Sequence, residues 1–426
     1  MNKYIKGKLN NPLVIGSAFV LAGSFFVNIL SWGFQLLAGR FLTVSDYGIL
    51  VSLFSLIAII GVPSIVLNTS IVKIVSELKA KGSYPIISSL FLWLIKTLTF
   101  VGIFVVLLSL LFNKQILHFL NFNNSLAFMI FMLFFVVSLV LSIPVSFLQG
   151  LQKFMDFSLS NIVVALNKFL LGIGITLLTY EITGTFVGMF IGVVLSFVIV
   201  SLLLKRNLEL TVGQDISIWL RKLLKFAIPS SLTLISLTVL FNIDVVLVKH
   251  FFSEEVSGIY SSMAIIGRIL FFGASTIGLV LFPLSSENHA RGEGTNKVFL
   301  NSLALTVFIL LCGLFAFTVF PKLLVSVLFG DSYIKAVSYL PKFALFMFFY
   351  TLSYLFSQYF LSIYRTKIGI LLAIGAVLQT SLIWFRHSSL EIVVDNLIIT
   401  NVALFVVLLG YYLINSYGFI SNRSRL

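Results

Sequence analysis

The sequence predicts an all-α integral membrane protein with about twelve transmembrane helices, and three observations lead to this fold class. The chain of 426 residues is 59% hydrophobic and only 10% charged, with a mean hydropathy of +1.13. A soluble protein of this length cannot bury so large an apolar surface, so lipid must surround most of it. The apolar residues form continuous runs of roughly 20 residues, the length of a spanning helix, and do not alternate as barrel strands would.

Each apolar run, taken in chain order, is interpreted as one spanning helix. The runs cover residues 13–38, 47–69, 86–112, 125–149, 159–180, 184–204, 226–250, 257–282, 298–320, 341–363, 367–385 and 396–417. The first run follows three lysines, as a signal peptide would. It is long for a signal peptide and lacks a convincing cleavage site, so we expect it to be retained as a helix.

The distribution of Lys and Arg predicts the orientation in the membrane. Twelve spans place both termini on one side, and eighteen of the 28 Lys and Arg residues lie in loops or tails on that side, against seven on the other. We therefore expect a protein of the cytoplasmic membrane with both termini in the cytoplasm. The net charge of +14 mostly reflects this topology, and no loop is long enough to form a nucleic-acid-binding domain.

Motifs for chemistry are absent from the sequence. The single cysteine, Cys312, lies inside an apolar run, where we expect a small buried hydrophobic side chain. The four histidines are scattered without metal-ligand spacing, and the sequence contains no Walker loop, HExxH or GxSxG. The sequence therefore predicts no catalytic residue, no metal site and no enzyme.

Two segments of the chain are repeated at an offset of 210 residues. SELKAKG (76–82) recurs as SENHARG (286–292), and RFLTVSDYG (40–48) aligns with HFFSEEVSG (250–258). Two matches in one register indicate an internal duplication. We predict two six-helix lobes, residues 1–210 and 211–426. Because six is an even number, both copies insert in the same orientation, so a pseudo-twofold axis along the membrane normal should relate them across a central cleft.

Several segments resemble a known family. NIDVVLVKHFFSEEVSGIYSSM (242–263), GRFLTVSDYGILVSLFSL (39–56), LQGLQKF (148–154) and LFGDSYIKAVSYLP (328–341) are similar to recurring segments of bacterial polysaccharide and O-antigen flippases. These flippases belong to the multidrug/oligosaccharidyl-lipid/polysaccharide exporter (MOP) superfamily. The resemblance implies two lobes in a V around a central cavity. It also implies flipping of undecaprenyl-pyrophosphate-linked oligosaccharides for surface polysaccharides such as capsule or O-antigen.

Four charged residues lie well inside the apolar runs and away from their ends, namely Lys96, Lys168, Arg268 and Asp244. A charge at the centre of a spanning helix costs roughly 2.5–3.5 kcal/mol, so such residues usually face a cavity or a partner. We predict that the three cations bind the substrate, with the Arg268 guanidinium suited to phosphate. Asp244 is predicted to couple transport to Na⁺ or H⁺. A structural ion pair for Asp244, and pairing of Lys168 with a neighbouring helix, are the alternatives.

A polar stripe runs along the first helix, formed by Ser17, Ser24, Asn28, Ser31 and Gln35 at spacings of 7, 4, 3 and 4. Such a stripe either makes hydrogen bonds between helices or forms a wetted wall. We favour the wall and predict that Asn28 and Gln35 contact the substrate.

The predicted function is alternating-access flipping of a lipid-linked oligosaccharide, without a cofactor other than a coupling Na⁺ or H⁺. Membrane lipids and other proteins of polysaccharide assembly are the expected partners. An ion-coupled multidrug exporter of the same superfamily and a membrane polysaccharide polymerase are the rivals. A multidrug exporter binds organic cations and should carry buried acids, whereas a polymerase usually carries a large outer loop.

Overall fold

The computed structural model describes the backbone of residues 12–209, 213–291, 293–365 and 367–423, and their side chains apart from 12–18, 21, 224–230, 290 and 415–423. These residues are almost entirely helical and include no strand. The α-helices, with one 3₁₀ helix at Asp331–Ser338, are α1 Pro12–Phe41, α2 Val44–Ile60, α3 Val62–Ala80, α4 Tyr84–Leu111, α5 Asn113–Phe119, α6 Ser125–Gly150, α7 Phe154–Thr179, α8 Ile182–Lys205, α9 Ser217–Phe251, α10 Glu254–Gly267, α11 Ile269–Ala290, α12 Asn296–Val319, α13 Pro321–Leu328, α14 Leu340–Ser362, α15 Ile368–Phe385 and α16 Leu390–Arg423.

Ten helices in the described part of the chain are long and apolar enough to span a membrane, or eleven when the bent pair α2–α3 is counted as one span. The remaining predicted run, 13–38, falls within α1, whose side chains are described only in part. The all-α membrane fold is therefore confirmed, and each predicted run coincides with a helix or a broken pair of helices. The count of twelve spans stays a prediction.

The run 47–69 is not one helix, as the sequence predicted, but two. α2 and α3 meet at Gly61 with a bend of 51°. Pro63, in the first turn of α3, has no N–H to continue the hydrogen-bond ladder of α2, and its ring excludes the carbonyl four residues earlier. The bend therefore coincides with a proline two residues after a glycine.

The helix ends repeat at the offset seen in the sequence. α1 and α9 end at Phe41 and Phe251, α2 and α10 begin at Val44 and Glu254, and α3 and α11 end at Ala80 and Ala290. These three pairs of residues are each 210 positions apart. The repeated loops therefore join corresponding helices.

The repeated loops also share an ion pair within their last helical turn. Lys81 donates to Glu77 at 2.9 Å, and Arg291 donates to Glu287 at 2.5 Å. Both pairs have the i, i+4 spacing that brings side chains together on a helix, with the cation near the helix C-terminus where the dipole favours it. The repeat thus preserves an ion pair at the C-terminus of the helix. Gly292, the counterpart of Gly82, lies outside the described residues.

The described helices fall into two compact units that are not simple halves. One unit contains the residues up to Tyr47 together with Gly61–Ile228, and the other contains Gly48–Ile60 together with the chain from Pro229 onward. The lobe boundary between 210 and 211 remains a prediction about the duplication. Because Gly48–Ile60 belongs to the second unit, most of α2 packs there, although α2 belongs to the first copy of the repeat.

Small residues allow helices to approach closely in both units. In the first unit Gly184, Gly188 and Gly192 lie at every fourth position of α8, and a Cβ on Gly192 would lie 2.8 Å from the carbonyl oxygen of Asn167 in α7. In the second unit a Cβ on Gly48 would lie 2.8 Å from the backbone nitrogen of Gly258. Such contacts are typical of membrane bundles, where van der Waals packing drives association.

Candidate functional site

A buried charge pair lies in the second unit, at the break between α10 and α11. Arg268 is the single residue between these helices, and its Nη2 lies 3.5 Å from Asp244 Oδ1 on α9. The hydroxyl of Tyr260 donates to Asp244 Oδ2 at 2.8 Å. Asp244 is 0% exposed and Arg268 5% exposed. The acid and the cation therefore neutralise each other where neither has access to bulk water.

Arg268 is also held by the backbone and by an aromatic ring. Its Nη2 donates to the carbonyl oxygen of Phe241 at 2.5 Å, and the guanidinium lies 4.6 Å from the Phe241 ring centroid. Its Nε has no hydrogen-bond partner among the described residues. Arg268, which was predicted to bind substrate, thus gives some of its hydrogen-bond donors to Asp244 and to the α9 backbone, while its Nε–H donor has no partner among the described residues.

Three side chains from other helices converge on one stretch of α9. Besides Arg268 on Phe241, Tyr350 donates to the carbonyl oxygen of Leu237 at 3.1 Å, and Gln379 donates to that of Leu240 at 2.9 Å. Sequence analysis missed the role of Gln379, a buried amide in the otherwise apolar α15. Its signal was present, because an amide in a spanning helix normally seeks a hydrogen-bond partner.

Lys168 lies in the first unit and reaches from α7 toward α1. Its side chain is half-buried, and its Nζ lies 4.8 Å from the ring centroid of Phe34. The same ring covers the next turn of α7, since a Cβ on Gly172 would lie 2.8 Å from it. Asn167 donates to Ser196 of α8 at 3.0 Å and so fixes the rotation of α7. Lys168 therefore lies against the face of α1 that carries Phe34.

The polar stripe of α1 lies on an exposed face. Ser24, Asn28 and Ser31 are exposed and Gln35 is half-buried, while Ser17 lies outside the residues whose side chains are described. No hydrogen bond links Ser24, Asn28 or Ser31 to another described side chain, and the Oε1 of Gln35 is buried without a partner. The stripe thus does not join helices within its unit, as the alternative interpretation required.

Two further faces of α1 flank this stripe, one on each side. Phe34 and Ala38 are buried against α7 and its neighbours, whereas Phe25 and Ile29 are exposed and apolar. At 100° per residue, the stripe lies between the packed face and the apolar exposed face. An exposed polar face beside an exposed apolar face is typical of a helix that meets both lipid and a wetter environment.

Lys96 does not join either cluster. It is exposed on α4, on a face that it shares with Trp93, Phe100 and Ile103, which are also exposed. No hydrogen bond or ion pair of Lys96 occurs within the described part of the chain. The structure therefore brings Arg268 and Asp244 together and places Lys168 against the Phe34 face of α1, while Lys96 lies on an exposed face of α4.

A family comparison identifies the chain. A family model described as polysaccharide biosynthesis protein matches residues 13–289, which is well over half of the sequence. The chain belongs to the polysaccharide biosynthesis protein family. The resemblance drawn from sequence segments is thereby confirmed, and no curated protein matches the chain significantly.

Solved structures show which fold this family member adopts. An inward-facing multidrug resistance MATE family transporter of the MOP superfamily aligns with 90% of this chain and 94% of its own at a TM-score of 0.74, with 13% identity. The lipid II flippase MurJ, in an inward closed conformation, aligns over 92% of this chain and 87% of its own, with a TM-score of 0.72 and 17% identity. The family member therefore has a MOP superfamily transporter fold.

A third solved structure shares this fold. A MOP superfamily transporter from Pyrococcus furiosus, described by the reverse polarity of its binding pocket, covers 93% of this chain and 94% of its own at a TM-score of 0.60 and 11% identity. The charges of this family member must therefore be read from its own residues.

Two expectations for individual residues were wrong or incomplete. Cys312 is exposed on α12 and not buried within the described protein. Lys249 is one of the seven Lys and Arg residues that the orientation count places on the outer side, and it is 1% exposed in the last turn of α9. In both cases hydropathy located the helix that contains the residue but did not determine which face of the helix packs against the protein.

Proposed function

We propose that this protein transports a saccharide unit linked through pyrophosphate to an undecaprenyl carrier across the cytoplasmic membrane. Its family is defined by polysaccharide biosynthesis, and its fold is that of MOP transporters. The proposed reaction is a translocation: the head group crosses while the lipid tail stays in the bilayer, and no covalent bond changes. Alternating access would expose the head group first to the cytoplasm and then to the outside.

The balance of charge in the spans is the observation that carries this proposal. The one acid near the middle of a span, Asp244, already has Arg268 and Tyr260 as partners. The other charges near the middles of the apolar runs, Lys96 and Lys168, are both cationic, as is Lys249, which is buried near the end of α9. A pyrophosphate is attracted by such a field and an organic cation is repelled.

The environment of Lys168 supports a ligand with both phosphate and sugar groups. The ammonium supplies the charge, while the exposed Asn28 and the half-buried Gln35 supply amide groups on the adjoining polar face of α1. Amides donate to and accept from sugar hydroxyls. In this proposal Lys168 attracts the phosphate and the α1 stripe accommodates the saccharide.

Asp244 is proposed to couple transport to a proton or Na⁺. Its carboxylate is held by one cation and one hydroxyl, so protonation or Na⁺ binding would release Arg268 from its charged partner. The freed guanidinium would then be available to a phosphate. In this way, proton or Na⁺ binding at Asp244 would change the affinity of the second unit for the substrate.

The multidrug exporter is retained as a second candidate because of the likeness to the multidrug resistance transporter. The two functions differ in what accumulates when the protein is removed. Deletion in the native cell should cause carrier-linked saccharide units to accumulate in the cytoplasmic leaflet, as measured by lipid extraction and leaflet-specific labelling. Unchanged carrier lipids together with drug sensitivity would support the exporter, and unextended units in the outer leaflet would indicate a polymerase.

A direct test uses Lys168 in reconstituted vesicles. We expect Lys168→Gln to lower the flipping rate of a carrier-linked saccharide by at least tenfold, because the cationic contribution is lost, and Lys168→Arg to retain most of it. Lys114→Gln, which removes an exposed lysine of the short helix α5 in the same unit, is the matched control. Equal flipping by the two Gln variants would contradict the assigned role of Lys168.

A further inference from the structure

The repeated loop of the first unit carries a cluster that its copy lacks. Lys222, near the start of α9, donates to Glu77 Oε1 at 3.0 Å, the same oxygen that accepts from Lys81 at 2.9 Å. The indole of Trp219 lies beside both cations, with its centroid 4.5 Å from the Lys222 ammonium and 5.0 Å from that of Lys81. In the second loop Glu287 pairs with Arg291 alone among the described residues.

The cluster has cationic capacity that its single acid does not satisfy. One carboxylate faces two ammonium groups, so Glu77, Lys81 and Lys222 together carry a net charge of +1. Each ammonium has three donors and gives one of them to Glu77. The two lysine side chains are 54% and 48% exposed, and the exposed Arg221 adds another positive charge next to Lys222.

Glu77 and Trp219 preorganise the two lysines. The shared carboxylate oxygen draws both ammonium groups to one point, and the indole limits how far each lysine can swing. Asp215 caps the start of α9 by accepting from the backbone N–H of Ser217 at 2.9 Å, which holds the turn that carries Trp219. An incoming anion would therefore meet two cations already in place, with little further side-chain ordering required.

The surroundings indicate that this anion belongs to a lipid. Ile218 is 67% exposed and precedes Trp219, so an unpartnered apolar side chain lies beside the charges. The cluster lies at the end of α3 and the start of α9, on the side of the membrane that Lys and Arg predict to be cytoplasmic. A tryptophan with cations and an exposed aliphatic side chain suits the boundary between acyl chains and anionic head groups.

We propose that Lys81, Lys222 and Trp219 form a binding site for a lipid phosphate group. Glu77 is then a positioning residue that also competes with the phosphate for both ammonium groups. The phosphate can come from an anionic phospholipid of the leaflet or from a prenyl pyrophosphate carrier. Only the second source rests on the proposed function.

Binding is tested with the full-length protein in detergent, with Trp32, Trp93 and Trp384 replaced by Phe so that Trp219 alone fluoresces. We expect short-chain phosphatidylglycerol to give a saturable change in fluorescence, and short-chain phosphatidylcholine to bind at least tenfold more weakly. Lys81→Gln with Lys222→Gln should weaken phosphatidylglycerol binding at least tenfold. Arg291→Gln with Lys297→Gln, which removes the same charge near the second loop, should leave it unchanged.

A second variant separates a binding site from a surface ion pair. Glu77→Gln keeps a side-chain oxygen that can accept from both lysines but removes the negative charge that competes with the phosphate. It should therefore strengthen phosphatidylglycerol binding, opposite in sign to the lysine double variant. Weaker binding by Glu77→Gln, or equal losses from the two double variants, would overturn the proposal. Melting temperatures of all variants should agree within a few degrees, because exposed ion pairs contribute little to stability.

The source of the phosphate is decided by a second titration. A prenyl pyrophosphate that binds at least tenfold more tightly than phosphatidylglycerol, with the same loss in the lysine variant, would assign the site to the transported carrier. Equal or weaker binding would assign it to the phospholipids of the leaflet. Binding of either lipid by a protein that fails to flip saccharide would uphold the site and reject the proposed transport function.

Discussion

Arg268 and Asp244 are charged partners across 24 residues of the chain, and substitutions at either should reflect that dependence. With both side chains almost fully buried, removing one charge leaves the other uncompensated. We expect Arg268→Gln or Asp244→Asn alone to destabilise the protein by about 3–5 kcal/mol. The double variant should recover much of this loss, because it buries no net charge. Melting temperature in detergent and abundance in membranes measure the effect.

The matched control for this pair is the exposed pair of Lys335 and Glu255. Its atoms lie 3.1 Å apart, but its side chains are 70% and 62% exposed. Lys335→Gln should therefore change stability by less than about 1 kcal/mol. If Arg268→Gln were as harmless as Lys335→Gln and only transport were lost, Arg268 would serve the substrate and not the fold. A stable but inactive double variant would instead assign transport to the pair itself.

Sequence reasoning reached these charges but not their partners. Lys168, Arg268 and Asp244 were recognisable because a charge in an apolar run is costly wherever it points. Their contacts depend on how neighbouring helices are rotated, and hydropathy does not record that rotation. Tyr260 illustrates the limit, since nothing in an aromatic-rich sequence marks the one hydroxyl that donates to Asp244. An ion pair for Asp244 was one of two open alternatives, and the structure supplies its geometry.

Helix α2 and helix α10 meet through glycines at equivalent positions of the repeat. Because a Cβ on Gly48 would lie 2.8 Å from the nitrogen and 2.9 Å from the Cα of Gly258, the obstacle is backbone and cannot rotate away. We expect Gly48→Ala to push the helices apart and to lower the melting temperature by several degrees. Gly273→Ala on α11 is the control, since nothing lies within 4 Å of its added Cβ.

The control should change stability in the opposite direction. Alanine restricts the unfolded chain more than glycine and is favoured in helices by up to about 1 kcal/mol, so Gly273→Ala should be neutral or stabilising. Were Gly48→Ala equally neutral, the close crossing of α2 and α10 would not exist in the membrane. The sequence hinted at this contact, because GILVS at 48–52 and GIYSS at 258–262 repeat the same small-residue spacing.

Helix positions were the best-predicted elements, for a physical reason. Lipid imposes a fixed thickness, so hydropathy alone locates a span to within a few residues of both ends, as α6 and α12 show. Breaks were less predictable. Gly61 and Pro63 carry a readable signal, yet α10 and α11 part at Arg268 without any proline nearby. Arg268 keeps helical backbone angles, and Glu254–His289 continues as one span of 36 residues.

The whole molecule carries an asymmetry of charge across the membrane that should determine its topology. With spans alternating in direction, loops rich in Lys and Arg stay in the cytoplasm. Tyr180 and Ser388 lie in exposed connections predicted to be outside, and Gln152 and Gln214 lie in exposed connections predicted to be inside. Each position therefore reports on a different connection between spans. Gln152 and Tyr180 lie in the first copy of the repeat, and Gln214 and Ser388 lie in the second.

Single cysteines at these four positions test the topology directly. In a Cys312→Ala background, a membrane-impermeant maleimide should label Tyr180→Cys and Ser388→Cys in cells with an intact cytoplasmic membrane. Gln152→Cys and Gln214→Cys should react only after permeabilisation, because the charged loops around them are retained in the cytoplasm. Labelling of position 214 but not 152 in intact cells would mean an odd number of spans between them, and the two copies of the repeat would then insert in opposite orientations. In that case the pseudo-twofold axis would lie in the membrane plane, and the prediction of two lobes with the same orientation would be wrong.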